Sequence, residues 1–348
     1  MSAYKYLFGP VPSRRLGRSL GVDLTPFKTC SFDCIFCQLG RTTNRTLARQ
    51  EYVPVDSVLA ELGSWLQEDG KADYISLAGS GEPTLNSRFG DVIDFAHATS
   101  DIPVALLTNG TMLSDPAARR AAAKADLVKV SLSAWDAASL ERVNRPCEGI
   151  EIKALIDGQW RFRQEFSGQL WLEVFLLLGV NSLPAEANRI AELAKVIGPD
   201  RVQLNTAVRP PAETFARPLP GGELAELAAL FEPVAEVIAE FSADGSAGIR
   251  ATEEMVLSML QRRPCTSGQI AEVFGLHGNE VAKYIGKLLR TNRVRAEERA
   301  GVPYYAATDR EAGGKGWPAQ TAGHGSGPGQ ARGADPLVGD GHAGNLQP

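Results

Sequence analysis

The order of its apolar segments predicts that this chain is an α/β protein built on a parallel sheet. Between residues 55 and 206, short apolar segments alternate with amphipathic segments of helical period. Strands that alternate with helices pair in parallel, because each helix carries the chain back along one face of the sheet. Functional residues in such sheets gather at the carboxyl ends of the strands. The pattern alone fits both a barrel and an open doubly wound sheet.

The individual segments follow this alternation. In the segment 56–68, Val58, Leu62 and Leu66 recur at the spacing of one helical stripe. Pro116 fits the first turn of a helix, where its missing N–H group leaves no bond unmade. The predicted strands lie at 73–79, 103–110, 126–134, 170–179 and 200–206, and the predicted helices lie at 56–68, 86–98, 136–144, 151–166 and 185–197.

The pattern changes after residue 206. Residues 207–220 are rich in proline and lack periodicity, whereas residues 222–241 predict one helix. Three short helical segments and two strands around a glycine turn follow, in the order of a winged helix-turn-helix. Eleven of the last 38 residues are glycine, which favours a disordered tail. We therefore expect a core domain at 1–210, a linker and helix at 211–250, a winged-helix domain at 251–308 and a disordered tail at 309–348.

Composition places the chain among ordinary globular proteins. It has 348 residues, 44% of them hydrophobic, and a net charge of −5, which gives no global sign of nucleic-acid binding. The first residues lack the continuous apolar stretch of a signal peptide. The most apolar segment, LWLEVFLLLGV, is too short to span a bilayer and carries Glu173. We therefore expect a cytoplasmic protein that does not associate with membranes.

Three cysteines lie within eight residues, in the sequence CSFDCIFC. Cys30, Cys34 and Cys37 have the spacing C-x₃-C-x₂-C, and three thiolates from one short loop suit an iron–sulfur cluster. A cubane cluster normally takes four protein thiolates, so one iron would keep an open coordination position. A zinc site or a disulfide would also use cysteines. A closed zinc site needs a fourth ligand, however, and none of the four histidines is close in the sequence.

The cysteines and the segment around them, FGPVPSRRLGRSLGVDLTPFKTCSFDCIFCQLGRTT, resemble the radical S-adenosylmethionine superfamily. Within it they resemble the wyosine-synthase-like iron–sulfur oxidoreductases. The resemblance implies a partial (β/α)6 TIM-like barrel, with the cysteine loop after the first strand. It also implies a [4Fe–4S] cluster whose open iron is chelated by S-adenosylmethionine. Reductive cleavage of this cofactor would give a 5′-deoxyadenosyl radical that abstracts hydrogen from a substrate.

The sequence GSGEPTL at residues 79–85 follows a predicted strand and matches the family's Gly-Gly-Glu-Pro element. Glycine allows a backbone to approach a ligand closely. The resemblance implies that Gly79, Gly81 and Glu82 contact the cofactor, with Glu82 accepting hydrogen bonds from its amino group. Without the cysteine motif, a simple turn would explain the same residues.

Four further residues are candidates for cofactor contacts. Asn109 stands at a predicted strand end, although an Asn-Gly turn would also explain it. Ser131 and Ser133 alternate along one strand and so face the same side, where they bind cofactor or only fill space. Glu173 lies in an apolar strand, and burying it without a partner would be costly. Lys28 and Asp33 are expected to position the cysteine loop.

Several partners and one alternative function follow. Reductive cleavage needs an electron donor, such as a flavodoxin or ferredoxin reductase. The substrate is not identified by the sequence: the resemblance implies an RNA base, and a peptide or protein recruited by the winged helix is the alternative. In the third helix of the predicted winged helix, Lys283, Lys287 and Arg290 share one face, as in a helix that approaches phosphates. Winged helices also serve protein contacts. From a different class, the chain could be a redox-sensing regulator that uses the cluster and binds DNA.

Overall fold

The structure is a computed structural model that describes residues 4–13, 15–68, 70–208, 211–238, 252–262, 264–299 and 301–308. The predicted tail at 309–348 and residues 239–250 of the predicted linker lie outside the described residues. Within the described part of the chain, no helix is both long and apolar enough to cross a membrane.

A single sheet of eight strands forms the centre of the fold, in the order β1-β2-β5-β6-β7-β8-β9-β10. All neighbours from β2 to β10 run parallel, and β1 is antiparallel to β2 at one edge. This arrangement confirms the predicted parallel α/β sheet. The strands are β1 (Leu7–Ser13), β2 (Gly17–Val22), β5 (Tyr74–Leu77), β6 (Val104–Thr108), β7 (Leu127–Ser131), β8 (Gln169–Phe175), β9 (Arg201–Asn205) and β10 (Glu236–Val237).

Helices connect the parallel strands, as the alternation predicts. A separate short pair, β3 (Thr29–Cys30) and β4 (Asn44–Arg45), lies in the long connection between β2 and the first helix. The helices are α1 (Val55–Gln67), α2 (Phe89–Thr99), α3 (Pro116–Ala122), α4 (Ala137–Asn144), α5 (Ile152–Glu165), α6 (Pro184–Ile197) and α7 (Gly221–Ala228).

The predicted single helix over 222–241 is wrong over residues 229–238, because α7 ends at Ala228, and residues 239–241 lie outside the described residues. Pro233 has no backbone N–H group and disfavours helical geometry at the residue before it. The chain turns there, with the Ala235 N–H donating to the Ala228 carbonyl oxygen at 3.1 Å, and continues into β10. Helical periodicity in the sequence therefore extends past the point where the backbone can remain helical.

The two faces of the sheet differ in polarity. Successive side chains of a strand point to opposite faces, and one face packs Ile75, Leu106 and Val128 into the main apolar core under the helices. The opposite face carries polar groups, such as Ser19 and Ser76, whose hydroxyl oxygens lie 2.6 Å apart. Parallel sheets are usually apolar on both faces, and this polar face also has a smaller apolar cluster, formed by Ala105, Leu127 and Trp171 with Leu16.

The C-terminal part of the described chain is a helical module with a hairpin. Its elements are α8 (Glu253–Arg262), α9 (Ser267–Phe274), α10 (Gly278–Arg290), β11 (Val294–Arg299) and β12 (Val302–Ala307). It has its own apolar core, which includes Cys265. Helices α8 and α9 lie against β1, and Gln269 Nε2 donates to the Val208 carbonyl oxygen at 3.1 Å. The module thus touches the sheet's β1 edge and the segment that follows β9.

Strand β8 ends at Phe175, although the apolar sequence continues to Leu178. The Phe175 carbonyl oxygen and the Leu177 N–H group form hydrogen bonds with the Asn181 side chain instead of with a neighbouring strand. The fully buried Asn181 amide donates to the carbonyl oxygens of Ser133 and Phe175 and accepts from the Leu177 N–H group. We predict that Asn181→Ala lowers the free energy of unfolding by roughly 2–4 kcal/mol, since buried backbone groups would be left without partners.

Urea denaturation measures this change. The matched control is Asn188→Ala, which removes an exposed amide on α6 that donates to Glu192. Its effect should stay within about 0.5 kcal/mol. Equal effects of the two substitutions would show that Asn181 does not hold the ends of β7 and β8.

Candidate functional site

The three motif cysteines stand on the connection that leaves β2 at its carboxyl end. Cys30 belongs to β3, and Cys34 and Cys37 follow in the loop. All three are partly buried, and none of them forms a disulfide. Within the described residues, no group of three or more His, Cys, Asp and Glu side chains is arranged to hold a single metal ion. The cysteines therefore form a set of unlinked thiols at the edge where parallel strands place their functional groups.

Each cysteine sulfur accepts a hydrogen bond from a side chain of a different segment. Lys28 Nζ donates to Cys37 Sγ at 3.1 Å, and Asn144 Nδ2 donates to Cys34 Sγ at 3.2 Å. Asn109 Nδ2 lies 3.6 Å from Cys30 Sγ. Burial raises the pKa of Cys30 to about 12 and also raises the pKa of Cys34. Both free thiols thus hold their protons at neutral pH, and binding of a metal centre must release them.

The glycine-rich turn after β5 packs directly against the start of the cysteine loop. The Lys28 N–H donates to the Ser80 carbonyl oxygen at 2.6 Å, and the Glu82 N–H donates to the Thr29 carbonyl oxygen at 3.0 Å. A Cβ atom on Gly81 would lie 1.8 Å from that Thr29 oxygen. Gly81 therefore lets two backbone segments approach each other. That Gly79 and Gly81 contact the cofactor stays a prediction.

Glu82 is buried, and its carboxylate joins the turns after β5 and β6. Its Oε1 accepts from the Thr84 N–H at 3.1 Å and from the Thr84 and Thr108 hydroxyls at 2.6 Å each. Its Oε2 accepts from the Asn109 N–H at 2.7 Å. Burial raises the pKa of Glu82, and these hydrogen bonds oppose the rise. A carboxylate has about four acceptor sites, and Oε2, with one described donor, keeps capacity for the predicted ammonium contact.

Asn109 links this carboxylate to the cysteine loop. Its side-chain amide donates to the Ser31 hydroxyl at 2.8 Å as well as facing the Cys30 sulfur. Its Oδ1 accepts from the N–H and the hydroxyl of Thr111 at 3.0 and 2.8 Å. Gly110 has a φ of +83°, so the Asn-Gly turn expected from the sequence is also present. The structure thus brings Asn109 to the site, and its contact with the cofactor stays a prediction.

Ser131, the last residue of β7, and Ser133, two residues after it, have different surroundings. The backbone of Ser131 pairs in register with Glu173 on β8, so the two side chains share the polar face. Ser133 is buried, and its hydroxyl accepts from the Phe175 N–H at 3.0 Å. Ser133 therefore holds the ends of two strands together. Neither serine's predicted contact with the cofactor is tested by this geometry.

Glu173 has the partners that its burial requires. Its carboxylate forms ion pairs with Arg15 and Lys129 and accepts from Asn205 Nδ2 at 3.2 Å. Burial alone would raise the pKa of Glu173, but the charges of Arg15 and Lys129 hold it well below its usual range. Glu173 is therefore ionised on the polar face. Lys129 lies within the otherwise apolar β7 segment, and this isolated lysine was the sequence signal that could have indicated an ion pair with Glu173.

Sequence reasoning missed the residues that cover the cysteine loop. The Phe36 ring stacks on Phe175 with 4.1 Å between centroids. From the segment after β9, the Glu213 N–H donates to the Ile35 carbonyl oxygen at 2.9 Å. The Glu213 carboxylate binds Arg145 and Arg41, each at 2.6 Å. Most of these contacts join residues more than 100 positions apart, so no local pattern could have indicated them.

Comparison with known proteins places these residues in a family. Residues 24–182 match the Radical SAM superfamily domain, a span that includes the cysteines, Glu82, Asn109 and Glu173. The UPF0026 protein MJ1312 of Methanocaldococcus jannaschii is 30% identical over 307 residues, which are 86% of this chain and 94% of that protein. The chain belongs to the UPF0026 family of radical SAM proteins. Members of the superfamily use a [4Fe–4S] cluster and S-adenosylmethionine as cofactors.

A second relative of this radical SAM protein is longer. The protein named GTPase Obg of Brachyspira hyodysenteriae is 37% identical over 306 residues, which are 87% of this chain and 45% of that protein. The chain thus spans less than half of the length of that relative, and its own sequence lacks the phosphate-binding motif G-x-x-x-x-G-K-[ST]. Among solved structures, a radical SAM methyltransferase from Sphaerobacter thermophilus aligns with a TM-score of 0.50 and 20% identity, over 66% of this chain and 68% of that one. This likeness shows a shared fold.

The donor set fits the cluster of the superfamily. Three unlinked thiols stand on one short loop, as a cubane cluster with one open iron requires. We predict that replacing Cys30, Cys34 or Cys37 with alanine abolishes the binding of iron and sulfide, because two thiolates cannot hold the cluster. Anaerobic reconstitution followed by iron and acid-labile sulfide analysis measures the result.

Cys147→Ala is the matched control. The Cys147 N–H donates to the Ser31 carbonyl oxygen at 2.8 Å, so this thiol lies beside the same loop without belonging to the motif. Full iron content in this variant is the expected result. Loss of iron from Cys147→Ala, with retention of iron in Cys37→Ala, would show that the predicted cluster ligands are wrong.

Proposed function

We propose that the protein is an enzyme that cleaves S-adenosylmethionine reductively and abstracts a hydrogen atom from a substrate on the polar face of the sheet. When bound, the cluster and the cofactor supply the 5′-deoxyadenosyl radical. The observation that carries the proposal is the continuous network from Glu82 through Asn109 to Cys30. This network ties the turns after β5 and β6 to the cysteine loop, so that a cofactor bound at the cysteines would also meet Glu82.

The polar face supports a substrate that carries hydrogen-bonding groups. Trp171 and Gln203 flank Glu173 on this face and are both buried. Among the described residues, Trp171 Nε1 and Gln203 Oε1 have no hydrogen-bond partner. Buried polar groups are rarely left unpaired in native proteins. Both atoms are enclosed by protein, and Trp171 packs in an apolar cluster. The neighbouring ion-pair cluster of Glu173 with Arg15 and Lys129 is what favours a polar ligand, such as an RNA base, over an apolar one.

The C-terminal module supports a role in recruiting the substrate. We propose that its three helices and hairpin are a winged helix-turn-helix, since they follow one another in that order. Lys283 and Arg290 are exposed on α10, and Lys287 forms an ion pair with Glu253. Residues 250–308 contain nine basic and six acidic side chains, against a net charge of −5 for the whole chain. This local excess of positive charge favours a nucleic acid over a protein as the partner.

The proposed reaction needs an electron donor. A flavodoxin or ferredoxin would supply the electron, because the reaction consumes one electron for each cofactor cleaved.

The alternative function is that of a redox-sensing regulator that binds DNA without turnover. A sensor has no use for the carboxylate network beside the cysteines, and Glu82 is buried and hydrogen-bonded there. The network therefore favours the enzyme.

We predict that the reconstituted wild-type protein, reduced with dithionite, converts S-adenosylmethionine to 5′-deoxyadenosine. Cys34→Ala should form none, because the cluster would be lost. Chromatographic quantification of 5′-deoxyadenosine measures the result, with Cys147→Ala as the active control. Duplex binding that changes with the oxidation state of the cluster, without any cleavage in the presence of RNA or protein extracts, would support the regulator instead.

We also predict that the double substitution Lys283→Ala and Arg290→Ala weakens binding to transfer RNA and lowers the salt dependence of the binding constant. For each phosphate that the variant no longer neutralises, the slope of log K against log salt should fall by about one. Fluorescence anisotropy at several salt concentrations measures both quantities. Lys195→Ala, which removes an exposed cation on α6 that pairs with Glu232, is the control. Equal slopes for the two variants would rule out α10 as the contact surface.

A further inference from the structure

The three hydrogen bonds to the cysteine sulfurs are not equivalent. Asn109 and Asn144 offer neutral amides to Cys30 and Cys34. Lys28 offers an ammonium group to Cys37, at 3.1 Å the shortest of the three donor–sulfur distances. A charged donor makes a stronger hydrogen bond than a neutral one and adds a long-range electrostatic effect. The set of donors is therefore asymmetric, with the positive charge on the Cys37 side.

Lys28 is held in an unusual position. Its φ is +59°, in the left-handed region that residues with a side chain rarely adopt. Hydrogen bonds hold its backbone on both sides, because its N–H donates to Ser80 while its carbonyl oxygen accepts from the N–H groups of Thr43 and Asn44 at 3.2 and 3.1 Å. Strained conformations of this kind persist only where the surroundings enforce them, and they cluster at functional sites.

The side chain is also buried, with only 3% of the residue exposed. Lysine normally keeps its ammonium group in water, and burying an uncompensated charge is costly. The thiolates of a bound cluster would supply that compensation. The buried ammonium charge of Lys28 is therefore compensated when the cysteines are thiolates, and it is not compensated when they are neutral thiols.

We propose that Lys28 is a positioning residue that raises the reduction potential of the cluster through its charged hydrogen bond to Cys37. This inference rests on the assignment of the cluster to the three cysteines. Reduction adds one electron, and so one negative charge, next to a fixed positive charge. The ammonium group therefore stabilises the reduced cluster more than the oxidised one. Hydrogen bonds to the sulfurs, net charge and solvent exposure are the factors that set the potentials of iron–sulfur clusters.

The test is a redox titration of reconstituted protein, followed by electron paramagnetic resonance, without S-adenosylmethionine or substrate. Lys28→Met removes the charge and the donor but keeps the length of the side chain. Lys28→Gly removes them as well and relieves the positive φ, so it preserves the loop even if methionine strains it. Lys28→Arg keeps a charged donor. Lys153→Met on α5 removes one exposed positive charge from the same chain and controls for net charge.

At a fixed applied potential, Lys28→Met and Lys28→Gly should lower the ratio of reduced to oxidised cluster about tenfold, which corresponds to about 59 mV for a one-electron couple. Lys28→Arg should shift it less, and Lys153→Met should leave it unchanged. Midpoint potentials of Lys28→Met and Lys28→Gly that equal that of Lys153→Met would overturn the inference.

The outcome for Lys28 is separable from the proposed reaction. The potential is measured without the cofactor, so a shift would stand even if the protein cleaved no S-adenosylmethionine. Conversely, cleavage by a wild-type protein whose potential does not depend on Lys28 would retain the proposed reaction and reject the role of this lysine. A wild-type protein that holds no cluster would overturn both.

Discussion

The buried carboxylate of Glu82 is the interaction on which the rest of the site depends. A carboxylate removed from water is tolerated only when hydrogen bonds replace its hydration, and four donors from Thr84, Thr108 and Asn109 do so. Those donors belong to the turns after β5 and β6. Asn109 in turn reaches the Cys30 loop. The geometry of the cysteines is therefore coupled to the ends of two strands, and a single buried charge maintains that coupling.

The division of the sheet into an apolar and a polar face explains where chemistry can occur. The apolar face supplies most of the hydrophobic stabilisation, because its side chains pack under the helices. The polar face carries the ion pairs of Glu173 with Arg15 and Lys129. Buried ion pairs are weak evidence for stability, since desolvation offsets much of their attraction. These ion pairs therefore give the polar face its buried charge and say little about what holds the fold together.

Two later segments complete the surroundings of the site. The segment after β9 covers the cysteine loop through Glu213, and the Phe36 ring stacks on Phe175. The C-terminal module contacts both β1 and the residues after β9. The C-terminal module thus lies against the β1 edge of the sheet and against the segment that follows β9.

The sequence by itself determined the parallel α/β class and the order of most elements, and it singled out the three cysteines that we predict as cluster ligands. Periodicity, Pro116 and the spacing C-x₃-C-x₂-C are local signals, and the structure confirms the parallel sheet and brings Glu82, Asn109 and the cysteines together. Local periodicity failed at residues 229–238, where the chain leaves the helix ahead of and around Pro233. Only the tertiary structure decided which side chains pair across the site: Lys28 with Cys37, Asn144 with Cys34 and Arg15 with Glu173. The physical reason is that such pairs depend on how the backbone folds back, within one loop for Lys28 and Cys37 and between distant segments for the other two pairs. Spacing along the chain carries no information about that geometry.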